Sequence, residues 1–95
     1  MASFSVDITD IVYAGGRTGY KTVTISNAPA AGITATLRGT NSTYFRVAAV
    51  ETNRSYTIST KQANDTGSIR TASVRFTNNN SSSDYVDVRD RKSVV

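Results

Sequence analysis

A small all-β domain, an antiparallel sandwich of about seven strands, is the fold this sequence predicts, on three observations. Apolar residues alternate with polar ones in short runs along most of the chain. Clusters of Gly, Asn or Ser separate those runs, and Thr, Ser and Val abound beside a single Pro. Period-two alternation gives a strand one buried face and one wet face. The clearest case begins at the polar turn Asn64-Asp65-Thr66-Gly67-Ser68, which leads through Ile69 and Arg70 into Thr71-Ala72-Ser73-Val74-Arg75-Phe76-Thr77. A polar loop over residues 78–83 then enters Asp84-Tyr85-Val86-Asp87-Val88-Arg89, a second alternating run, so the pair reads as a closing hairpin.

The earlier elements follow the same logic. Phe4, Val6 and Ile8 alternate with Ser5, Asp7 and Thr9 as a first strand, which Ile11 and Tyr13 continue after a kink at Asp10. Residues 14–19 form a glycine-rich turn, and Tyr20 to Ser26 places Val23 and Ile25 inward. Pro29, which donates no ladder hydrogen bond, breaks that strand. Ile33, Ala35 and Leu37 mark a third strand. Phe45, Val47 and Ala49 share one face of the next, and Tyr56 and Ile58 one face of the run from Arg54 to Thr60. With the closing hairpin the count reaches about seven, the spacing of an immunoglobulin-like sandwich, with a small closed barrel as the structural alternative. The expected core is Val6, Ile8, Val23, Ile25, Leu37, Phe45, Val47, Tyr56, Ile58, Val74, Phe76, Val86 and Val88.

Ninety-five residues suit one domain, assigned to residues 1–88, with residues 89–95 as a basic C-terminal tail. The core of so short a chain is thin, and without Cys no disulfide reinforces it. The N-terminus lacks the basic and apolar regions of a secretory signal, and no apolar run is long enough to span a membrane as a helix. If Met1 is the native start, synthesis in a cytoplasm is expected. The net charge of +4 is dispersed one or two cations per element, with only Arg89-Asp90-Arg91-Lys92 clustered. That pattern predicts a mildly basic solvated surface rather than specific nucleic-acid binding.

The catalytic inventory is sparse. With neither His nor Cys, the usual nucleophile–base pairs and transition-metal ligands cannot be assembled. Asp7, Asp10, Asp84 and Asp87 read as turn or edge residues, with Asp87 outward. Gly15-Gly16-Arg17-Thr18-Gly19 lacks the spacing of a phosphate-binding loop and reads as a hairpin turn. No catalytic, cofactor or metal site is expected. Asn41, Asn53, Asn64, Asn79 and Asn80 each begin an Asn-x-Ser/Thr triplet, which the abundance of these residues explains by chance.

From Tyr44 to Arg89 the chain resembles the BACON family of immunoglobulin-like domains from Bacteroides and their phages. The likeness rests on Tyr44-Phe45-Arg46-Val47, on the turn Asn64-Asp65-Thr66-Gly67, and on Arg70-Thr71-Ala72-Ser73-Val74. The family's usual Trp is replaced by Tyr44 or Phe45, and the Gln that commonly closes its last strand is absent near Arg89-Asp90. The resemblance implies one of two roles. The first is an auxiliary, or decoration, protein on the head of a crAss-like tailed phage, bound to the major capsid protein or another virion protein. The second is a carbohydrate- or mucin-binding module, for which Tyr13, Tyr20, Tyr44, Tyr56 and Tyr85 would supply the aromatic platform. An adaptor domain of a larger protein is a third reading. The phage-head role is preferred, because a small sandwich with a loose basic tail resembles such proteins more closely and the absence of Trp weakens the flat aromatic platform that carbohydrate sites commonly use.

Two expectations concern individual residues. Arg70, where a polar turn enters a strand, is a structural arginine whose guanidinium bonds loop carbonyls or pairs with Asp65. Beyond Val88 the inward positions fall to Asp90 and Lys92, so the chain is expected to leave the sheet. Arg89, Arg91, Lys92, Val94 and Val95 then form a tail that engages an acidic, partly apolar groove on a partner. Deleting Arg89 to Val95 should leave the melting temperature nearly unchanged but weaken assembly onto the partner, more so at low salt.

Overall fold

The alternating runs pair into two four-stranded sheets whose apolar faces meet. The structure, a computed structural model, describes residues 2–94. Its strands are β1 (Ser5–Val6), β2 (Asp10–Tyr13), β3 (Tyr20–Ser26), β4 (Ile33–Arg38), β5 (Phe45–Glu51), β6 (Ser55–Thr60), β7 (Arg70–Asn78) and β8 (Ser81–Lys92). One 3-10 turn, Ser42–Tyr44, precedes β5. One sheet has the order β1-β3-β6-β5 and the other β2-β8-β7-β4. All pairings are antiparallel except β2 with β8.

Eight strands replace the expected seven because the first run divides between the sheets. Val6 pairs with Ile25 in one sheet, whereas Ile11 lies opposite Asp90 in the other. Parity requires the division: Phe4 and Val6 are even-numbered and buried, Ile11 and Tyr13 odd-numbered and buried, and a single strand cannot turn both sets inward. The crossing is tied at each end. Asp7 accepts the Thr24 amide through Oδ1 at 2.7 Å, and the Thr9 carbonyl accepts the Arg89 amide at 2.8 Å.

Phe45, Phe76, Ile58, Val23, Val74 and Val88 are almost wholly buried where the sheets meet. The Tyr56 and Phe76 rings pack at 5.0 Å and those of Tyr13 and Phe45 at 6.1 Å, both tilted, as aromatic quadrupoles favour. Ile8, Leu37, Val47 and Val86, expected in the core, are only half-buried. Ile8 lies in the crossing segment, Leu37 and Val47 on the edge strands β4 and β5, and Val86 where β8 extends past β2. Phe4, Ile11, Tyr13, Ile33 and Ala72 are buried in addition.

The molecule measures 42 × 22 × 17 Å. A twelve-residue strand spans roughly 40 Å, so the long axis follows β8. At one end, here termed the tip, lie residues 14–19, 39–44 and 61–69 and the C-terminal end of β8. The opposite end, the base, holds residues 27–32, 52–54 and 79–80. Asparagine shapes the base. Asn53 takes φ +67°, its Oδ1 accepts the Ile33 amide at 3.0 Å, and its own amide donates to the Tyr56 hydroxyl at 3.0 Å. Gly32, at φ +83°, fits between the Asn53 and Asn79 side chains, which a Cβ would approach to 3.2 Å.

Candidate partner-binding surface

The segment expected to leave the sheet stays in it, which corrects the assignment of residues 89–95 as a tail. Arg89 to Lys92 pairs with β7 on one side and with β2 on the other, with Arg70 opposite Lys92 and Ala72 opposite Asp90. Even-numbered positions keep facing inward beyond Val88, so Asp90 and Lys92 are buried outright. Lys92 therefore cannot be a surface ligand. Arg89 remains exposed, Arg91 is half-buried against Asp10, and Val94 is 39% exposed. Val95 lies outside the described residues.

Polar groups can face inward there because the tip loops supply partners. The Lys92 ammonium donates to the Ala14 carbonyl at 2.5 Å, to the Arg17 carbonyl, and to Thr60 Oγ1 at 3.5 Å. Burial foremost, then the positive charges of Arg17 and Arg70, lowers its pKa from the ordinary lysine value. Asn64 is the second clamp. Its Nδ2 donates to the Ser68 and Lys92 carbonyls, its Oδ1 accepts from Thr66, and its amide donates to the Gly15 carbonyl at 2.9 Å. Gly15 has no alternative there, since a Cβ would fall 2.4 Å from the Val94 backbone. Loops 14–19 and 61–69 and the end of β8 thus form one hydrogen-bonded unit. Asn64, wholly buried, acts through its amide side chain as the hub of that unit.

Arg70 is 5% exposed, donates to the Ala63 carbonyl at 3.4 Å, and lays its guanidinium 3.7 Å from the centre of the Tyr44 ring. Its charge therefore rests on an aromatic face rather than beside Asp65. Asp90 Oδ1 accepts from the Tyr13 hydroxyl at 3.3 Å, while Oδ2 has no partner among the described residues. Burial pushes the Asp90 pKa up to about 7; the Tyr13 hydrogen bond opposes that shift and the Asp10 charge adds to it. Burial, and then the neighbouring Asp90, raise the Tyr13 phenol.

Charge divides sharply along the long axis. The register puts Arg17, Lys21, Arg38, Arg46 and Lys61, together with Arg70, Arg89, Arg91 and Lys92, on the tip side of the row Leu37–Val74–Val88. Only Asp10, Asp65 and Asp90 offset them there, so nine cations face three carboxylates, a formal excess of six positive side-chain charges. The base side carries two cations, Arg54 and Arg75, and four carboxylates, Asp7, Glu51, Asp84 and Asp87, an excess of two negative.

Pairing leans the same way, with Arg91–Asp10 at 3.1 Å the one ion pair on the tip side among the described residues. At the base Arg54 meets Glu51 at 3.3 Å. Arg75 holds Asp87 with two hydrogen bonds of 2.8 and 3.0 Å, an arrangement that keeps the Asp87 carboxyl below its usual range. Asp84 accepts from Ser3 and Asn78, which lowers it as well. On the tip side Arg17, Lys21, Arg38, Arg46, Lys61 and Arg89 are exposed, and among the described residues none makes a side-chain hydrogen bond or ion pair. Sequence reasoning saw dispersed charge because these six come from different strands and loops, and the strand register gathers them.

The five tyrosines do not form one platform. Tyr13 and Tyr56 are buried, Tyr44 lies under Arg70, and Tyr20 and Tyr85 stand on different sheets. Among the described residues there is no cavity, no cluster of three or more potential metal ligands, and no helix long and apolar enough to cross a membrane. No family model, no curated protein and no solved structure matches the chain.

Proposed function

We propose that this chain is an immunoglobulin-like sandwich that serves as a non-enzymatic attachment protein, an auxiliary capsid protein on the head of a tailed phage. Strand order supports the fold. Sheets β1-β3-β6-β5 and β2-β8-β7-β4 follow the A-B-E-D and C-F-G arrangement of immunoglobulin domains, with the first strand divided so that β2 runs parallel to β8.

The observation that carries the function is the set of six exposed cations without an ion pair on the tip side of a molecule whose two base-side arginines each meet a carboxylate. Unmatched surface charge of one sign, held on a rigid scaffold, suits recognition of a surface of the other sign. The likeness of Tyr44 to Arg89 to phage-associated BACON domains makes the major capsid protein or another virion protein the partner. Many weak copies bound to a repeating shell achieve stable occupancy that one copy cannot. Mass spectrometry of purified particles of the encoding phage tests this reading: the chain should be present in the head, and its absence ends the proposal.

A further inference from the structure

The tip carries more than charge. Ile69 is 58% exposed and Val94 39%, and the two lie at adjoining strand ends, since Arg70 pairs with Lys92. Val94 packs its backbone against Gly15, so both apolar side chains belong to the unit formed by loops 14–19 and 61–69. Arg17 and Lys61 stand on those same loops with no partner of their own among the described residues. Exposed apolar side chains beside unpaired cations match the composition of a protein interface whose partner is acidic at its rim.

From this juxtaposition we propose that the tip is the docking surface of the chain, and that its occupant is an acidic protein surface carrying an apolar contact for Ile69 and Val94. The inference rests on the attachment role proposed above and names the surface that performs it. The buried clamp explains how loops can serve: Lys92 and Asn64 bind the loop carbonyls from within, so docking does not have to order them. The Lys92 contribution is thus positional, and the ligands are its neighbours.

Size decides the strength. The cross-section of 22 × 17 Å gives the tip a footprint of roughly 400 Å², about half the ~800 Å² per partner of a stable interface. A single contact is therefore weak and salt-sensitive, which fits a protein that binds in many copies.

The test uses the full chain, isotopically labelled, and follows its amide NMR signals during titration with a glutamate–tyrosine copolymer at low salt. Shifts should be confined to residues 14–21, 38–46, 61–71 and 89–94, with residues 27–32, 51–54 and 79–84 unmoved. Combining R17E and K61E should weaken binding by about tenfold or more, and I69S should weaken it at constant salt dependence, while R54E at the base leaves it unchanged. Shifts spread over the whole surface or centred on the base overturn the proposal. So does tighter binding to a 20-base-pair DNA duplex or to phosphatidylserine vesicles, either of which assigns the tip to a different class of partner. Tip and base shifts that grow with protein concentration alone assign it to a second copy of this chain, which also overturns it. Loss of the chain from phage particles would end the virion reading and leave the copolymer result standing, so the two failures are separable.

Discussion

Tip and base are built from the same alternating strands, yet they solve opposite problems. At the base, Asn53 and Asn79 cap turns and each arginine meets a carboxylate, so no cation there is left unpaired. At the tip, polarity is turned inward, where Lys92, Asn64 and Arg70 satisfy loop carbonyls, and of the outward cations only Arg91 is matched, by Asp10. A buried ammonium on carbonyls tolerates little change, because removing it takes the donor from several acceptors at once. An exposed ion pair tolerates almost any change. The difference teaches that the functional-looking end is also the end on which the fold depends.

The largest expected effect is truncation. Deleting residues 89–95 removes the β8 segment that pairs with both β2 and β7, together with Lys92. No cooperative melting transition should survive by circular dichroism, and a normal transition would return those residues to the role of a tail. Lys92→Ala isolates the clamp. Leaving the Ala14 and Arg17 carbonyls without their buried donor should cost about 3 kcal/mol in urea unfolding, and an effect under about 1 kcal/mol would show that water reaches the site.

Asp90 sharpens the contrast through pH. Its folded pKa, about 7, lies above that of an unfolded Asp, so the folded state binds the extra proton. The stability this proton confers is full below pH 4 and declines as pH rises to 7. Asp90→Asn mimics the protonated group. It should abolish that decline and stabilise the protein by roughly 2–4 kcal/mol at pH 8, and a parallel pH profile for the two proteins would place the carboxyl in water. At the base the effects shrink. Asn53→Ala loses the cap on Ile33 and forces Ala to positive φ, costing about 1–2 kcal/mol, with Asn53→Gly recovering part of it. Arg54→Ala should change stability by less than about 0.5 kcal/mol, and a larger loss would mean that the base charges are coupled to the fold.

The all-β class, most strand positions and the buried Val23, Phe45, Ile58, Val74 and Phe76 were legible because alternation is a local signal. The division of the first run was legible only as a parity change between Val6 and Ile11, which marks a strand changing sheets. The extent of β8 was not legible. Asp90 and Lys92 read as the end of a buried face, because their partners lie more than 25 residues away in the sequence, on Tyr13, Ala14, Arg17 and Thr60. For the same reason Arg89 and Val94 were placed on a free tail instead of on an ordered end.

Alternation and turn chemistry, set by neighbours two to four residues apart, determined by themselves that this chain would form strands and which faces of them would be apolar. Which polar residues could be buried, and where the dispersed cations would gather, depended on strand register and sheet assignment. Both are consequences of contacts between distant segments, so only the tertiary structure decided them.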